Sequence, residues 1–155
     1  MPLQITETIE AKENFSSERI DYDKYEAETI EKLLSRVKDC DRENAKILLD
    51  DCLNNGIIRL ELCDVEDCFS SATEIEYLEF KGVEESESLL LKRGPIKTLL
   101  LVISSGKDEE LTILEVQNCL KCIEAATGQK LEPEKMYWSM VQKAPTGFLR
   151  MLVQF

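Results

Sequence analysis

The stretch that most constrains the fold runs from Gly94 to Gly128, because it writes one strand and one helix with their boundaries in place. Leu99–Ile103 is an unbroken apolar run after Gly94 and Pro95, closed by Ser104, Ser105 and Gly106. Such a run, without alternation, predicts a strand covered on both faces. Thr112 and Glu115 read as a capping box, and Leu111 with Val116 as a hydrophobic staple, so a helix is predicted to start there. Ile113, Val116, Leu120 and Ile123 recur at helical spacing with Cys119 among them, and Gly128 supplies a left-handed stop.

The flanks fill in an α+β domain. Residues 1–20 carry no persistent period and read as a flexible leader before a single domain over 21–155, helical up to residue 55. Tyr22, Ile30, Leu33, Leu34 and Val37 predict a first helix to about Lys38. Asp41 opens a second, with Ala45, Leu48, Leu49, Cys52 and Leu53 as its stripe and Asn54-Asn55-Gly56 as its end. Ile57–Leu62 begins to alternate as a strand does, and Asp64 can cap a short helix to about Ser71. Glu74–Phe80 alternates as a strand with one wet face. Val83–Arg93 is ambiguous: its acidic half suggests a loop, and Leu89–Leu91 suits helix or strand. Met136–Val141 and Phe148–Phe155 are strands joined by the turn Ala144–Gly147, which predicts an antiparallel hairpin. The sum is a two-layer sandwich, a mixed four-stranded sheet with packed helices.

Composition narrows function. With 155 residues and 43% hydrophobic content, the chain can build one domain with a substantial core. A formal net charge of -12 disfavours nucleic acid and anionic membrane surfaces as partners. No apolar run is long enough for a membrane span, and the N-terminus lacks the marks of a signal peptide, so a cytoplasmic location is expected. In that setting the 6 cysteines are expected to stay reduced. The absence of His removes Ser-His and Cys-His nucleophile pairs and His-containing zinc sites. Each of the 6 glycines stands alone at an element boundary, so no Gly-rich loop is available to cradle a nucleotide phosphate.

Three groups of residues still invite chemistry. Cys119 and Cys122 have the spacing of half a zinc knuckle, with Cys63 and Cys68 as the other half, but the first pair lies inside a well-bounded helix. Core packing is the plainer reading, and no metal or cofactor is expected. Glu61 and Asp64 flank a strand-to-helix step where carboxylates could polarise water or hold a cation; as structure, Asp64 caps and Glu61 is a surface residue. Lys107–Glu110 could hold a cation, although acidic groups before a helix are favoured by its dipole anyway.

The run Gly56-Ile57-Ile58-Arg59-Leu60-Glu61-Leu62-Cys63-Asp64-Val65 resembles the synergy loop of the FtsZ/tubulin family, whose bacterial pattern is close to G-L-I-N-L-D-F-A-D-V. Ile103–Gly106 followed by Leu111–Val116 is similar to the family's apolar strand, T-G-G-like turn and helix beginning L-T-L-x-E-V. The last two strands also resemble the family's, so the likeness runs from about residue 45 to 155. It implies a chorismate-mutase-like α+β fold, as in the FtsZ C-terminal domain, without the GTP-binding domain and its phosphate loop. The helix expected between Phe80 and Pro95 looks shortened to an acidic linker. Arg59 stands where the family has Asn, Glu61 where it has its first Asp, and Asp64 keeps the second.

The resemblance implies a non-catalytic protein-interaction module, not an enzyme, with Arg59, Glu61 and Asp64 as partner-binding residues. Its partner would be an FtsZ/tubulin-like GTPase polymer that it regulates or caps, with self-association left open. The alternative is a small stand-alone enzyme or ligand-binding domain using the acidic residues.

Overall fold

The computed structural model describes residues 21–81, 83–93, 95–105, 113–128, 130, 136–142 and 148–155. The chain divides between Lys32 and Leu33, and the compact unit Leu33–Phe155 carries everything that follows. Residues 21–34 are helical (α1), with those up to Lys32 in the first unit, where Thr29 Oγ1 donates to the Tyr25 carbonyl at 2.8 Å. The helix ends earlier than the spacing suggests: Val37 is buried and forms a parallel bridge with Ile75 instead.

The remaining helices are α2 (Arg42–Asp50), α3 (Leu62–Phe69), α4 (Val83–Arg93) and α5 (Ile113–Thr127). The strands are β1 (Glu76–Phe80), β2 (Thr98–Ser105), β3 (Met136–Gln142) and β4 (Phe148–Gln154). They form the expected mixed four-stranded sheet, in the order β1-β4-β2-β3. From Leu99 to Ser105 every residue of β2 is buried, as its unbroken apolar run requires. α5 ends as expected on Gly128 at φ 69, a left-handed conformation that a residue with a Cβ adopts only with strain. The predicted capping box at Thr112 and the acidic stretch Lys107–Glu110 lie outside the described residues, as does the turn Ala144–Gly147.

The structure corrects the hairpin. β4 runs antiparallel to both β2 and β1, whereas β3 runs parallel to β2 on its far side. Turn chemistry argues for pairing neighbours in sequence, but the two most apolar strands bury more surface side by side in the centre. The chain therefore crosses from β2 through α5 to a parallel β3, then returns past β2 to place β4.

Val83–Arg93 is a helix, not an acidic linker. Glu84 and Glu85 lie in its first turn and Lys92 and Arg93 in its last, each sign at the end of the helix dipole that favours it. Leu90 is the buried anchor of this helix. Its acidity belongs to the solvated face, which is why local composition looked loop-like.

Strand alternation sorts the core. Leu99, Leu101 and Ile103 of β2 and Leu149, Met151 and Val153 of β4 pack with Leu90 of α4 and Val116, Cys119 and Ile123 of α5. The intervening positions Leu100, Val102 and Leu152 are equally buried on the opposite face, where α2 lies on β4 and α3 on β2 and β3. Helices thus pack on the sheet from both faces.

A displayed loop at the start of α3 as candidate docking site

The segment between α2 and α3 is built from its ends inward. After Asp50 the helix widens into a π-helical turn, Asp51–Asn55, in which Asn54 and Asn55 donate to Asp50 at 2.8 and 3.1 Å. The turn leaves the Cys52 carbonyl free to accept the Leu60 N–H at 2.9 Å, which ties the loop's exit to the helix end. At Gly56 a Cβ would meet the Ile58 carbonyl oxygen at 2.7 Å and Ser139 Oγ at 3.0 Å, so only glycine permits this close approach.

Residues Ile57 and Ile58 then meet the edge of β3. Both N–H groups donate to the Met140 carbonyl, at 2.7 and 3.3 Å, and the Met140 N–H returns to Ile58 at 3.3 Å. Ser139 Oγ donates to the Ile58 carbonyl at 2.6 Å. This single antiparallel bridge is all that forms of the strand expected over Ile57–Leu62, because Leu62 turns inward as the first residue of α3. Ile57 is 61% exposed and Ile58 37%, so two large apolar side chains stand outward on a pinned backbone.

The three residues singled out from the sequence share this loop and the helix start. Arg59 is exposed, and its Nε donates to the Gly56 carbonyl at 3.2 Å, steadying the guanidinium against its own loop. Glu61, not Asp64, is the N-cap of α3. The Glu61 N–H donates to Asp64 Oδ2 at 2.9 Å in a capping box, so both carboxylates are held by the helix they start. The cap falls three residues earlier than expected because Leu62 and Val65 must both face the core. Cys63 lies exposed beside them, with Sγ 3.6 Å from Glu61 Oε2. Desolvation, that hydrogen bond and the nearby Asp64 charge push its thiol above the ordinary cysteine range.

Sequence reasoning missed a second polar group, which lies inside the molecule. Arg150 of β4 and Asp51 are each almost fully buried and pair at 2.7 Å, Nη1 to Oδ2. Arg150 Nη2 also donates to Ser104 Oγ at 3.3 Å, and Asp51 Oδ1 accepts from Asn55 at 3.4 Å. The group therefore links β4 and β2 to the turn from which the loop departs. The available signal was Arg150 on an inward-facing strand position, between the buried neighbours Leu149 and Met151.

The cysteine pairs are not brought together. Cys119 and Cys122 lie on α5 and Cys63 and Cys68 on α3, against opposite faces of the sheet. Burial raises the thiols of Cys52 and Cys68 to about 12 and that of Cys119 to about 11, which is the behaviour of small core residues. Among the described residues no group of three or more acidic or cysteine side chains could hold a metal ion.

The fold and loop define an α+β domain that presents a hydrogen-bonded loop beside the exposed edge of a mixed sheet. No family model matches the chain, and no curated protein matches it in sequence. Among solved structures it is similar to an empty FtsZ dimer from M. jannaschii, with a TM-score of 0.45 and 16% identity over 72% of this chain and 37% of that one. A mutant form of the same FtsZ gives a TM-score of 0.43 and 15% identity over 72% of this chain and 38% of that one. CetZ from Methanosaeta thermophila gives 0.48 and 12%, over 72% and 35%. The chain thus spans little more than a third of the length of each of these proteins.

Proposed function

We propose that this domain is a non-catalytic interaction module that docks on the end of an FtsZ-like polymer in the cytoplasm through the loop at residues 56–61. The observation that carries the reading is the loop itself: Ile57, Arg59 and Glu61 are exposed on a backbone pinned by Gly56, Ser139 and Met140. A loop ordered before binding loses little entropy on docking, and an Arg beside exposed apolar side chains is the composition found at interface anchors. The resemblance of residues 56–65 to the synergy loop supplies the class of partner. Docking by this loop at a filament end would keep the next subunit from adding there.

The test adds the protein, well below equimolar, to an FtsZ-family GTPase of the same organism and follows polymer by light scattering and sedimentation. Reduced polymer is expected, with the effect lost in Arg59→Ala and weakened in Glu61→Gln with Asp64→Asn. The second pair keeps hydrogen-bond acceptors at the helix cap while removing its charge, so a lost effect cannot be put down to unfolding of α3. Unchanged polymer, or an effect indifferent to all three substitutions, rejects the reading.

A further inference from the structure

The sheet has two edges, β1 and β3, and they are protected to different degrees. β1 carries Glu76 and Glu79, and Arg93 of α4 reaches across to Glu76. Charges of this kind discourage another strand from pairing there. β3, Met-Tyr-Trp-Ser-Met-Val-Gln over residues 136–142, has neither charge nor proline along its whole length.

Pairing shows which backbone groups are open. Met140 spends its N–H and C=O on Ile57 and Ile58, so that residue faces away from β2. Successive residues of a strand alternate, and the same outward orientation therefore holds for Trp138 and Met136. Their outward N–H and C=O groups have no backbone partner among the described residues. The short antiparallel pairing begun by Ile58 thus stops after one bridge and leaves a row of groups in the same line.

The two faces beside that row differ. On one, Met136, Trp138 and Met140 are partly buried against the core of α4 and α5, leaving apolar surface at the rim. On the other, Tyr137 points toward α3, where Asp64 and Asp67, after desolvation, help raise its phenol above the ordinary range. A guest strand would meet apolar surface on one side and carboxylates on the other. A second copy of this chain would bring the same carboxylates and another -12 of charge, so like-charge repulsion opposes self-pairing.

We propose that the edge of β3 at Met136–Trp138 adds an extended segment of a partner protein, with apolar and basic residues alternating along it. The backbone row supplies the pairing, Met136 and Trp138 receive the apolar side chains, and Asp64 and Asp67 receive the basic ones. This surface goes beyond loop docking and shares only Asp64 with it.

Trp138 is the single tryptophan of the chain and reports directly on the edge. The probe is a capped peptide alternating lysine with valine and isoleucine, titrated into the full chain while Trp138 emission and heat of binding are followed. A saturable blue shift is expected, weakened about tenfold or more when alternate peptide nitrogens are methylated, because a β-added strand depends on its main-chain hydrogen bonds. Replacing the lysines by glutamate should abolish it, and Arg59→Ala should leave it unchanged. Met136→Pro removes one outward N–H at the first residue of the strand, where proline is tolerated, and should also block binding. The proposal is overturned by absence of a saturable shift or by equal binding of methylated or acidic peptides. Indifference to Met136→Pro also overturns it, as does concentration-dependent self-association lost in Met136→Pro, which would give the edge to a second copy. The methylated peptides test the same hydrogen bonds on unaltered protein, so the result does not depend on how that variant folds.

Discussion

Gly56, Asp51 and Arg150 show how far single residues shape the loop. Giving position 56 a Cβ, as in Gly56→Ala, places it against backbone oxygen that has no flexible end to move. We expect a loss of roughly 1–3 kcal/mol, as for overpacked sites, seen as a lower urea midpoint with the slope unchanged. At the buried pair, Asp51→Ala strands a guanidinium inside the protein and should cost about 3–5 kcal/mol, whereas the double replacement Asp51→Leu with Arg150→Met should recover most of it. A double-mutant cycle in urea separates the two outcomes. Cys63 offers a test through titration. Its thiol is raised by desolvation and by Glu61, so the reactive thiolate appears at higher pH than in an ordinary cysteine. Glu61→Gln removes the charge that favours the protonated thiol and should speed alkylation of Cys63 near neutral pH, as read by mass spectrometry of the labelled peptide. Equal rates in both proteins would place Glu61 away from the thiol.

At the scale of elements, α3 and α4 contrast in how their sequences announce them. α3 is short and depends on its start: Asp64→Ala removes the acceptor of the Glu61 N–H and should cost about 1 kcal/mol. α4 depends instead on what it covers. Leu90 is fully buried where α4 packs on α5 and β1, and Leu90→Ala should cost roughly 2–5 kcal/mol with a native-like fold retained at low denaturant. If α4 were the acidic linker its composition suggests, that substitution would be nearly silent. The structure also explains why the helix looks loop-like in sequence: Glu84 and Glu85 are exposed, Glu87 is half-buried beside Cys122 of α5, and only Leu90 among the three consecutive leucines is fully buried.

For the whole molecule, strand order makes a prediction independent of any partner. β2 and β4 have a ladder on both sides, whereas β1 and β3 have one. Amide hydrogen exchange should be slowest across Leu100–Val102 and Arg150–Leu152, and the outward amide of Trp138 should exchange quickly. A hairpin of β3 with β4 would instead protect Trp138 and Met151 together. Charge gives the two proposed surfaces opposite salt responses. Docking of a chain of net charge -12 on an acidic polymer should tighten as salt screens repulsion, while a basic strand on β3 should bind more weakly.

Much of this architecture was legible from one end of the chain to the other. The apolar run of β2, the stripe and left-handed stop of α5, the alternation of β4 and the stop at Gly56 of the π-helical turn that continues α2 are local patterns that determine their own conformation. The candidate loop was legible too, because its residues are contiguous. What only the tertiary structure decided are choices between partners far apart in sequence. Local turn chemistry could not show that β4 prefers β2 to β3, since burial of the two central strands against each other outweighs the short connection. Nor could it show that Arg150 finds Asp51, far away in the sequence, in the interior. The same is true of Ser139 and Met140, which hold the loop only because the sheet brings an edge strand beneath it.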